Sequence, residues 1–313
     1  MRPKANLPFV WDKISSEIKS LPELLKTKPQ IIKELLAVHG AILFKSFEIY
    51  DAEKLETCVN AFPGNSMDYV DGNSPRTKLQ GKVYTSTEHP AEEFISLHNE
   101  LSYGSQWPSF IFFCCETAPM KGGGTVVADS RAILFDLSEN TKKVFKEKGV
   151  EYIRNLHSGF GAGPSWKDTF ETSQKGEVEN YCKVNDILYT WNDDDSLRLV
   201  QRRKAIIQHP ITNEEVWFNQ ADQFHPSTNS TEVYEALMEI YEEDPTSMPQ
   251  YATFCGGDEI PLEMLEEIRS VAKNNMVTFK WEKGDLMLVD NILTAHGRMP
   301  FEGPRKILVS MSS

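Results

Sequence analysis

A closely spaced histidine and glutamate, with a third candidate ligand far downstream, constrain this chain more than any other feature. His98 and Glu100 lie in the alternating, strand-like stretch 94–102, and His296 follows near the C-terminal end. Residues i and i+2 of a strand point to one face, so His98 and Glu100 are predicted to grip one metal ion from a strand end. His296 would close the site from a second strand. Two imidazoles and a carboxylate are the protein ligands of non-haem Fe(II) centres that keep coordination positions open.

Chain length and hydropathy favour a single globular unit. The 313 residues are 40% hydrophobic, which is enough for a sizeable core, and no linker or internal repeat divides them. No apolar run approaches the roughly 18 residues that cross a bilayer. Residues 1–8 lack the apolar segment of a signal peptide. We therefore expect one domain over 1–313, a cytoplasmic location and no membrane association.

Charge and cysteine usage exclude two function classes. The net charge of −13 argues against nucleic-acid binding, which requires basic surface to meet phosphates. The cysteines are odd in number, without C-x-x-C spacing, and are Cys58, Cys114, Cys115, Cys182 and Cys255. This usage indicates a reducing compartment and buried thiols, not a disulfide framework or a zinc knuckle.

The local pattern predicts many short strands with a few outer helices. Predicted helices cover 30–38, 51–62, 138–148, 231–243 and 261–273. Predicted strands cover 41–47, 82–87, 93–102, 109–116, 125–128, 150–156, 186–191, 204–208, 214–218, 276–281, 286–290 and 306–311. Together they indicate a mainly β jelly-roll barrel with peripheral helices. Its parts are an α+β region over 1–80, metal-bearing barrel strands at 81–130 and 275–313, and strands with helical insertions at 131–274.

Several motifs occur in a fixed order along most of the chain. They are Ser74-Pro75-Arg76-Thr77, Val83-Tyr84-Thr85-Ser86-Thr87, Leu97-His98-Asn99-Glu100-Leu101-Ser102-Tyr103, Gly122-Gly123-Gly124-Thr125, Asp290-Asn291 and His296 followed by Arg298 and Arg305. In this order they resemble the taurine dioxygenase-like family, most closely its clavaminate synthase-like and SyrP-like branch. The resemblance runs from about residue 40 to the end.

The resemblance implies a double-stranded β-helix that binds Fe(II), with 2-oxoglutarate as cosubstrate and O2 as oxidant. It implies no catalytic side chain beyond the metal centre. Arg305 lies at a strand start, and its planar guanidinium can hold a carboxylate bidentately. By resemblance, Thr125 supplies a hydroxyl to the same carboxylate of 2-oxoglutarate.

The substrate is predicted less sharply. Arg76, Tyr103, Asn219 and Arg298 lie in family-like segments near the expected mouth of the site and are candidate substrate contacts. The family often carries a second arginine where this chain has Val309, so a taurine-like sulfonate clamp is absent there. The resemblance implies oxidation of an aliphatic C–H in a small amino-acid-like molecule, free or presented on a carrier protein.

Two other functions use the same ligands. One is a catalytically silent, metal-binding jelly-roll protein that senses a ligand; Arg305 and Thr125 speak against it, because a sensor does not need a cosubstrate anchor. The other is a zinc hydrolase, for which the sequence offers no further carboxylate at motif spacing to act as a base.

Overall fold

The structure, a computed structural model, describes residues 6–15, 17–74, 76–87 and 89–313. Pro75 and residues 1–5, which belong to segments interpreted above, lie outside these ranges. Helices are α1 Leu21–Thr27, α2 Pro29–His39, α3 Ala52–Ala61, α4 Ser130–Asp136, α5 Glu139–Lys148, α6 Trp166–Phe170, α7 Lys175–Val184, α8 Ala221–Phe224, α9 Thr231–Ile240 and α10 Leu262–Asn275, with short 3-10 turns at Lys13–Ser15, Pro226–Thr228 and Pro245–Ser247.

Strands alternate with these helices along the whole chain. They are β1 Phe9–Asp12, β2 Ala41–Lys45, β3 Ser66–Met67, β4 Lys78–Gln80, β5 Val83–Thr85, β6 Ile95–His98, β7 Phe110–Thr117, β8 Lys121–Gly122, β9 Thr125–Asp129, β10 Val150–Leu156, β11 Leu188–Trp191, β12 Leu197–Arg203, β13 Ile206–Gln208, β14 Glu215–Trp217, β15 Gln250–Phe254, β16 Val277–Thr278, β17 Leu286–Asp290, β18 Thr294–Arg298, β19 Phe301–Glu302 and β20 Lys306–Ser312.

The largest sheet joins the two ends of the chain. Its strand order is β1-β2-β17-β7-β20-β5-β4, and β3 pairs with β20. The central strands β7 and β17 are almost wholly buried, because apolar side chains occupy both faces of the sheet. One face contacts α1, α2 and α3, and the other belongs to the main core. Because both faces of the sheet are buried, the sequences of these strands are continuous apolar runs.

A smaller sheet carries the candidate metal ligands. Its strand order is β16-β9-β18-β6, and His296 on β18 lies directly opposite His98 on β6. The close approach of these strands requires glycine at position 297, where a Cβ atom would lie 2.3 Å from the carbonyl oxygen of Ile95. The sheet therefore brings together two histidines that are distant in sequence.

A third sheet and its helices cover one end of the molecule. The strand order is β11-β12-β10-β15, and α6 and α7 pack on it through the cluster around Trp166 and Leu199. The segment 68–77 also lies at this end, because the backbone N–H of Asp71 donates to the carbonyl of Thr169. Arg154 on β10 forms a buried ion pair with the carboxylate of Asp71. This network fixes the segment that carries Arg76.

The structure differs from the predicted elements in three places. Helices occupy about as many residues as strands, so the chain is a mixed sheet and helix protein with more helix than the predicted barrel with peripheral helices, and it is consistent with that class. The predicted strand 93–102 ends at His98, because the chain turns at 99–104 and Leu101 adopts a positive φ of 56°. Elements α7, β12 and β15 were not predicted at all. Among the described residues, no helix is long and apolar enough to span a bilayer.

Candidate metal centre

His98, Glu100 and His296 converge at the smaller sheet. One ligand atom from each residue lies within 4.8 Å of the others, and Nε2 of His296 is 3.7 Å from Oε2 of Glu100. The two imidazole rings are 4.5 Å apart between centroids, and the His296 ring also contacts Phe113. Within the described part of the chain these three residues form one cluster of metal-binding side chains without a fourth protein member. The arrangement leaves room for exogenous ligands on a six-coordinate metal.

His98 has the tautomer that metal binding requires. Its Nδ1 is 2.9 Å from the carbonyl oxygen of Ser96, so Nδ1–H donates there and the lone pair of Nε2 is free for a metal. Burial, helped by the neighbouring His296, lowers the pKa of His98 to about 4. The imidazole is therefore neutral at physiological pH, as a ligand must be.

The position of Glu100 is fixed by a clamp, in which the side-chain amide of Asn291 binds the backbone of Glu100, and not by a strand. Its N–H donates to Oδ1 of Asn291 at 2.7 Å, and its carbonyl accepts from Nδ2 of the same side chain at 3.0 Å. Asn99 donates to the carbonyl of Asn291 at 2.6 Å. The prediction that His98 and Glu100 share one face of a strand is therefore wrong, because Glu100 lies in the turn after β6. The two side chains still meet, since the turn redirects the glutamate to the same point.

The carboxylate of Glu100 has a buried cationic neighbour. Nη2 of Arg76 donates to Oε2 of Glu100 at 2.6 Å, and both side chains are about 5% exposed. Burial alone would raise the pKa of Glu100, but Arg76, helped by both histidines, outweighs it and holds the pKa well below its usual range. Glu100 is therefore ionised and able to bind a cation. Arg76, predicted as a substrate contact, thus contacts a candidate metal ligand, and its role toward a substrate stays a prediction.

Arg305 and Thr125 line a cavity that His98 and His296 share. Nε of Arg305 donates to the carbonyl of Gly123 at 2.9 Å, and Gly123 turns at a φ of +64°. Burial lowers the pKa of Arg305 to about 10, and the charge of Arg298 acts in the same direction. No carboxylate among the described residues pairs with Arg305, so its guanidinium is a buried cation in need of an anion.

Thr125 is oriented to donate. Its hydroxyl oxygen accepts from Nε1 of Trp281 at 2.9 Å. Because that bond uses a lone pair, the hydroxyl proton stays available for an acceptor in the cavity. A buried guanidinium and a free hydroxyl proton together fit a carboxylate group, and thus fit the distal carboxylate of 2-oxoglutarate.

Arg298, a predicted substrate contact, forms hydrogen bonds to backbone carbonyls. Its guanidinium donates to the carbonyl oxygens of His89, Pro90 and Glu93. Arg298 lies two residues after His296 on β18, so it joins the metal-bearing strand to the segment 89–93. Its Nη1 and Nη2 atoms thus meet backbone carbonyls, whereas Nε has no hydrogen-bond partner among the described residues and the residue lines the cavity with His98 and His296. The role of Arg298 as a substrate contact stays a prediction.

Two further predicted substrate contacts have different outcomes. Tyr103 lines a cavity that contains His98 and Glu100, but its hydroxyl donates to the carbonyl of Asp71 at 2.7 Å, which leaves the ring to face the cavity. Asn219 does not line that cavity within the described residues. Its amide donates to the carbonyl of Ala205 and accepts from the N–H of Ala221. The neighbouring Gln220 lines the cavity in its place.

Two adjoining cavities lie in front of the metal-ligand cluster. One has a volume of about 540 Å³ and reaches His98 and Glu100, and the other has a volume of about 690 Å³ and reaches Arg76. They share polar and aromatic walls, formed by Tyr69, Asn73, Ser74, His89, Asn229 and Gln250. These cavities are large enough for a small-molecule substrate.

Sequence reasoning missed the residues that support the ligands. Asn291 clamps Glu100, Trp281 orients Thr125, and Gln223 donates to Oγ of Ser96 beside His98 at 2.9 Å. The Asp290-Asn291 pair was noted in the motif, but no role was derived for it. Each of these residues lies far in sequence from the residue that it supports, so local spacing gives no signal for the pairing.

Comparison with known proteins assigns the family. The profile of the "Taurine catabolism dioxygenase TauD, TfdA family" matches residues 7–311. The dapdiamide synthesis protein DdaC of Enterobacter agglomerans is 36% identical over 297 residues, covering 95% of this chain and 88% of DdaC. The clavaminate synthase-like protein At3g21360 of Arabidopsis thaliana is 29% identical over 308 residues, covering 93% and 88%.

A solved structure supports the same fold. PvcB, described as an Fe, alpha-ketoglutarate dependent oxygenase from an isonitrile synthetic pathway, aligns with a TM-score of 0.54 and 16% identity, covering 100% of this chain and 89% of PvcB, a protein of Pseudomonas aeruginosa. At this identity the likeness concerns the fold alone, and the family match carries the biochemistry. The chain therefore belongs to the TauD/TfdA family and is a non-haem iron dioxygenase that depends on Fe(II), 2-oxoglutarate and O2.

Proposed function

We propose that this dioxygenase oxidises an aliphatic C–H bond of a small amino-acid-like substrate, with release of succinate and CO2. His98, Glu100 and His296 bind the iron in this proposal. Arg305 and Thr125 bind the distal carboxylate of 2-oxoglutarate. The observation that carries the proposal is the partly buried guanidinium of Arg305, which has no carboxylate partner among the described residues and lines one cavity with Thr125 and both histidines of the metal-ligand cluster.

The architecture supports a double-stranded β-helix. The large sheet and the smaller sheet enclose the metal-ligand cluster, with Phe113 of β7 in one and His296 of β18 in the other. We also propose that residues 1–313 act as one catalytic domain. The first strand, β1, and the last strand, β20, belong to the same sheet, so neither end forms a separate unit.

The protein's own groups prepare the reaction by fixing charges and directions. When bound, Fe(II) and 2-oxoglutarate would supply activation of O2 for the oxidation of an unactivated C–H bond. Neutral His98 and ionised Glu100 need no proton loss before they bind the metal. Arg305 and Thr125 orient the cosubstrate from the far end of their cavity. The backbone clamp by Asn291 holds Glu100 in place, so reacting groups are positioned before the substrate arrives.

The substrate class rests on the two outer cavities. Their shared walls are rich in amide, hydroxyl and imidazole groups and include the ring of Tyr69, and such walls suit a small polar molecule with a short aliphatic part. DdaC acts in dapdiamide synthesis and PvcB in an isonitrile synthetic pathway, by their descriptions. A biosynthetic substrate, free or tethered to a carrier protein, fits this setting. The free cysteines are mostly buried, which fits the predicted cytoplasmic location.

The two rival functions are less favoured by the site. A silent metal-binding sensor has no use for the buried Arg305 and Thr125 pair. A zinc hydrolase needs a general base at the metal, and within the described residues no carboxylate other than Glu100 joins the cluster.

A screen for succinate formation tests the proposal. Purified protein with Fe(II), 2-oxoglutarate and O2 is assayed with free amino acids and with aminoacyl thioesters on a carrier protein. We expect substrate-dependent succinate release that is lost in His98→Ala and kept in His39→Ala, a histidine outside the site. Release with the thioester alone would assign the carrier-tethered form. Binding of Fe(II) and 2-oxoglutarate without succinate from any substrate would favour the sensor, and O2-independent, zinc-supported hydrolysis would favour the hydrolase.

A further inference from the structure

Arg76 is a deeply buried guanidinium with an unusual set of contacts. It lies in the segment between β3 and β4, and its side chain is 5% exposed. One hydrogen bond is present, from Nη2 to Oε2 of Glu100, while Nε and Nη1 are enclosed without a hydrogen-bond acceptor. The guanidinium carbon lies 4.1 Å from the centre of the Tyr69 ring, which provides a cation–π contact.

A structural ion pair in the same protein is arranged differently. Arg131 is also buried, with 8% of its side chain exposed, and its nitrogens donate to Asp129, to Glu214 and to the carbonyls of Ala37 and Val38. That guanidinium ties several elements together and satisfies its donors in doing so. Among the described residues, Arg76 donates to no backbone carbonyl. Within this same part of the chain, only the carboxylate of Glu100 and the face of the Tyr69 ring stabilise its buried charge. A buried donor without an acceptor is costly, which indicates that this position serves Glu100 rather than general stability.

The supports of Arg76 hold it against Glu100. The backbone N–H of Ser74 donates to the hydroxyl of Tyr69 at 3.2 Å, and Asn73 donates to Gln250 at 2.7 Å. Both contacts fix the residues that precede Arg76 in the chain. Nε and Nη1 are enclosed, while the residue itself lines one of the two outer cavities. The hydrogen bond to Glu100 links Arg76 to the metal-ligand cluster, and the predicted role of Arg76 in substrate binding stays a prediction.

We infer that Arg76 is a positioning residue of the iron centre, which restrains the carboxylate of Glu100 and offsets its charge. The inference rests on the proposed role of Glu100 as a ligand. A guanidinium at 2.6 Å limits rotation of the carboxylate, so one oxygen keeps a fixed direction toward the metal. Loss of an outer hydrogen-bond partner of this kind lowers metal affinity about 10- to 100-fold in other proteins.

The test compares Fe(II) affinity and the anaerobic absorption spectrum of the Fe(II)–2-oxoglutarate complex in wild type and variants. We expect Arg76→Gln to bind Fe(II) at least about tenfold more weakly and to shift the charge-transfer band. Arg76→Lys keeps the charge but not the planar fork, and we expect it to lose about two- to tenfold. Arg131→Gln is the matched control, because it removes an equally buried guanidinium from a carboxylate outside the cluster. It should change the iron affinity less than twofold.

The outcomes separate this inference from the proposed function. If wild type shows no charge-transfer band, the proposed metal and cosubstrate roles are wrong, and the inference falls with them. If wild type shows the band and Arg76→Gln matches it in affinity and position, the inference alone is overturned. Should Arg76→Gln fail to fold, as followed by circular dichroism, Arg76→Lys decides, and wild-type affinity with an unshifted band in that variant overturns the inference.

Discussion

At the scale of single residues, the site depends on charges that are buried without ordinary partners. Arg305 is the clearest case, since its guanidinium is desolvated and has no carboxylate neighbour among the described residues. The adjacent Lys306 lies on the other side of the strand and pairs with Glu116 at 3.0 Å. Two neighbouring cations thus have different tasks, and only Arg305 lines the cavity with the candidate ligands.

Substitution of Arg305 by leucine should weaken 2-oxoglutarate binding. A charge-assisted hydrogen bond contributes about 1.5–3 kcal/mol, and 1.4 kcal/mol is about tenfold in affinity. We therefore expect the Kd for 2-oxoglutarate, from titration of the charge-transfer band, to rise about 10- to 100-fold in Arg305→Leu. Lys306→Met is the matched control and should change the Kd less than about twofold. Equal effects of both substitutions would contradict the assignment.

The residue scale was also where the sequence was most informative. His98, Glu100, His296, Thr125 and Arg305 were all predicted, because each carries a chemical group that the reaction needs and a recognisable place in the motif order. The roles of Asn219 and Arg298 as substrate contacts stay predictions. Their side chains donate to backbone carbonyls, and no spacing rule shows which polar side chains a fold uses for its own backbone.

At the scale of elements, the turn after β6 is the critical feature. A regular strand would place Glu100 by alternation, whereas the structure places it by the clamp of Asn291. The same amide donates to the carbonyl of Pro108 at 2.9 Å. Since Asn291 lies between β17 and β18, the clamp links the turn that carries one ligand to the strand that carries another.

Removal of this clamp should cost stability. Asn291→Ala leaves three buried backbone groups without partners, and each unsatisfied group costs about 1–3 kcal/mol. We expect the free energy of unfolding, from urea titration of the metal-free protein, to fall by about 3 kcal/mol or more. Asn192→Ala, at an exposed turn between β11 and β12, is the control and should lose less than about 1 kcal/mol. A loss of similar size in both variants would mean that the clamp contributes little.

Several elements could not be predicted because they lack the regular apolar pattern that identifies a strand or a helix. In β12 the inward residues are Leu197, Leu199 and Gln201, and the amide of Gln201 donates to the carboxylate of Asp71 at 3.1 Å. A buried polar side chain interrupts the apolar alternation that identifies a strand. The helix α7 buries only Val178 and Cys182, which is too few apolar positions for a helical periodicity.

At the scale of the whole molecule, the site is built from distant parts of the chain. Strands near both ends pair in the large sheet, and β6, β9 and β18 meet in the smaller one. Such pairing depends on long-range contacts that local patterns do not contain. The overall class of fold was therefore predicted from strand content and motif order, while the strand order itself was not.

The same packing should protect the thiols. Burial raises the pKa of Cys58, Cys115 and Cys182 to about 12 each and raises that of Cys114 still further. Thiolate is the reactive form, so these four should react slowly with a thiol reagent in native buffer at pH 8. Cys255, which is partly exposed, should react first, and all five should react rapidly in denaturant. Rapid native labelling of four or five thiols would contradict the packing described.

The central claim is that His98, Glu100 and His296 hold Fe(II) so that 2-oxoglutarate can chelate it. The most direct measurement is the anaerobic absorption spectrum of Fe(II)-loaded protein as 2-oxoglutarate is added. We predict a metal-to-ligand charge-transfer band in wild type that saturates with 2-oxoglutarate and is absent in His98→Ala and His296→Ala. A wild-type spectrum without this band, or an equal band in His98→Ala, would contradict the claim.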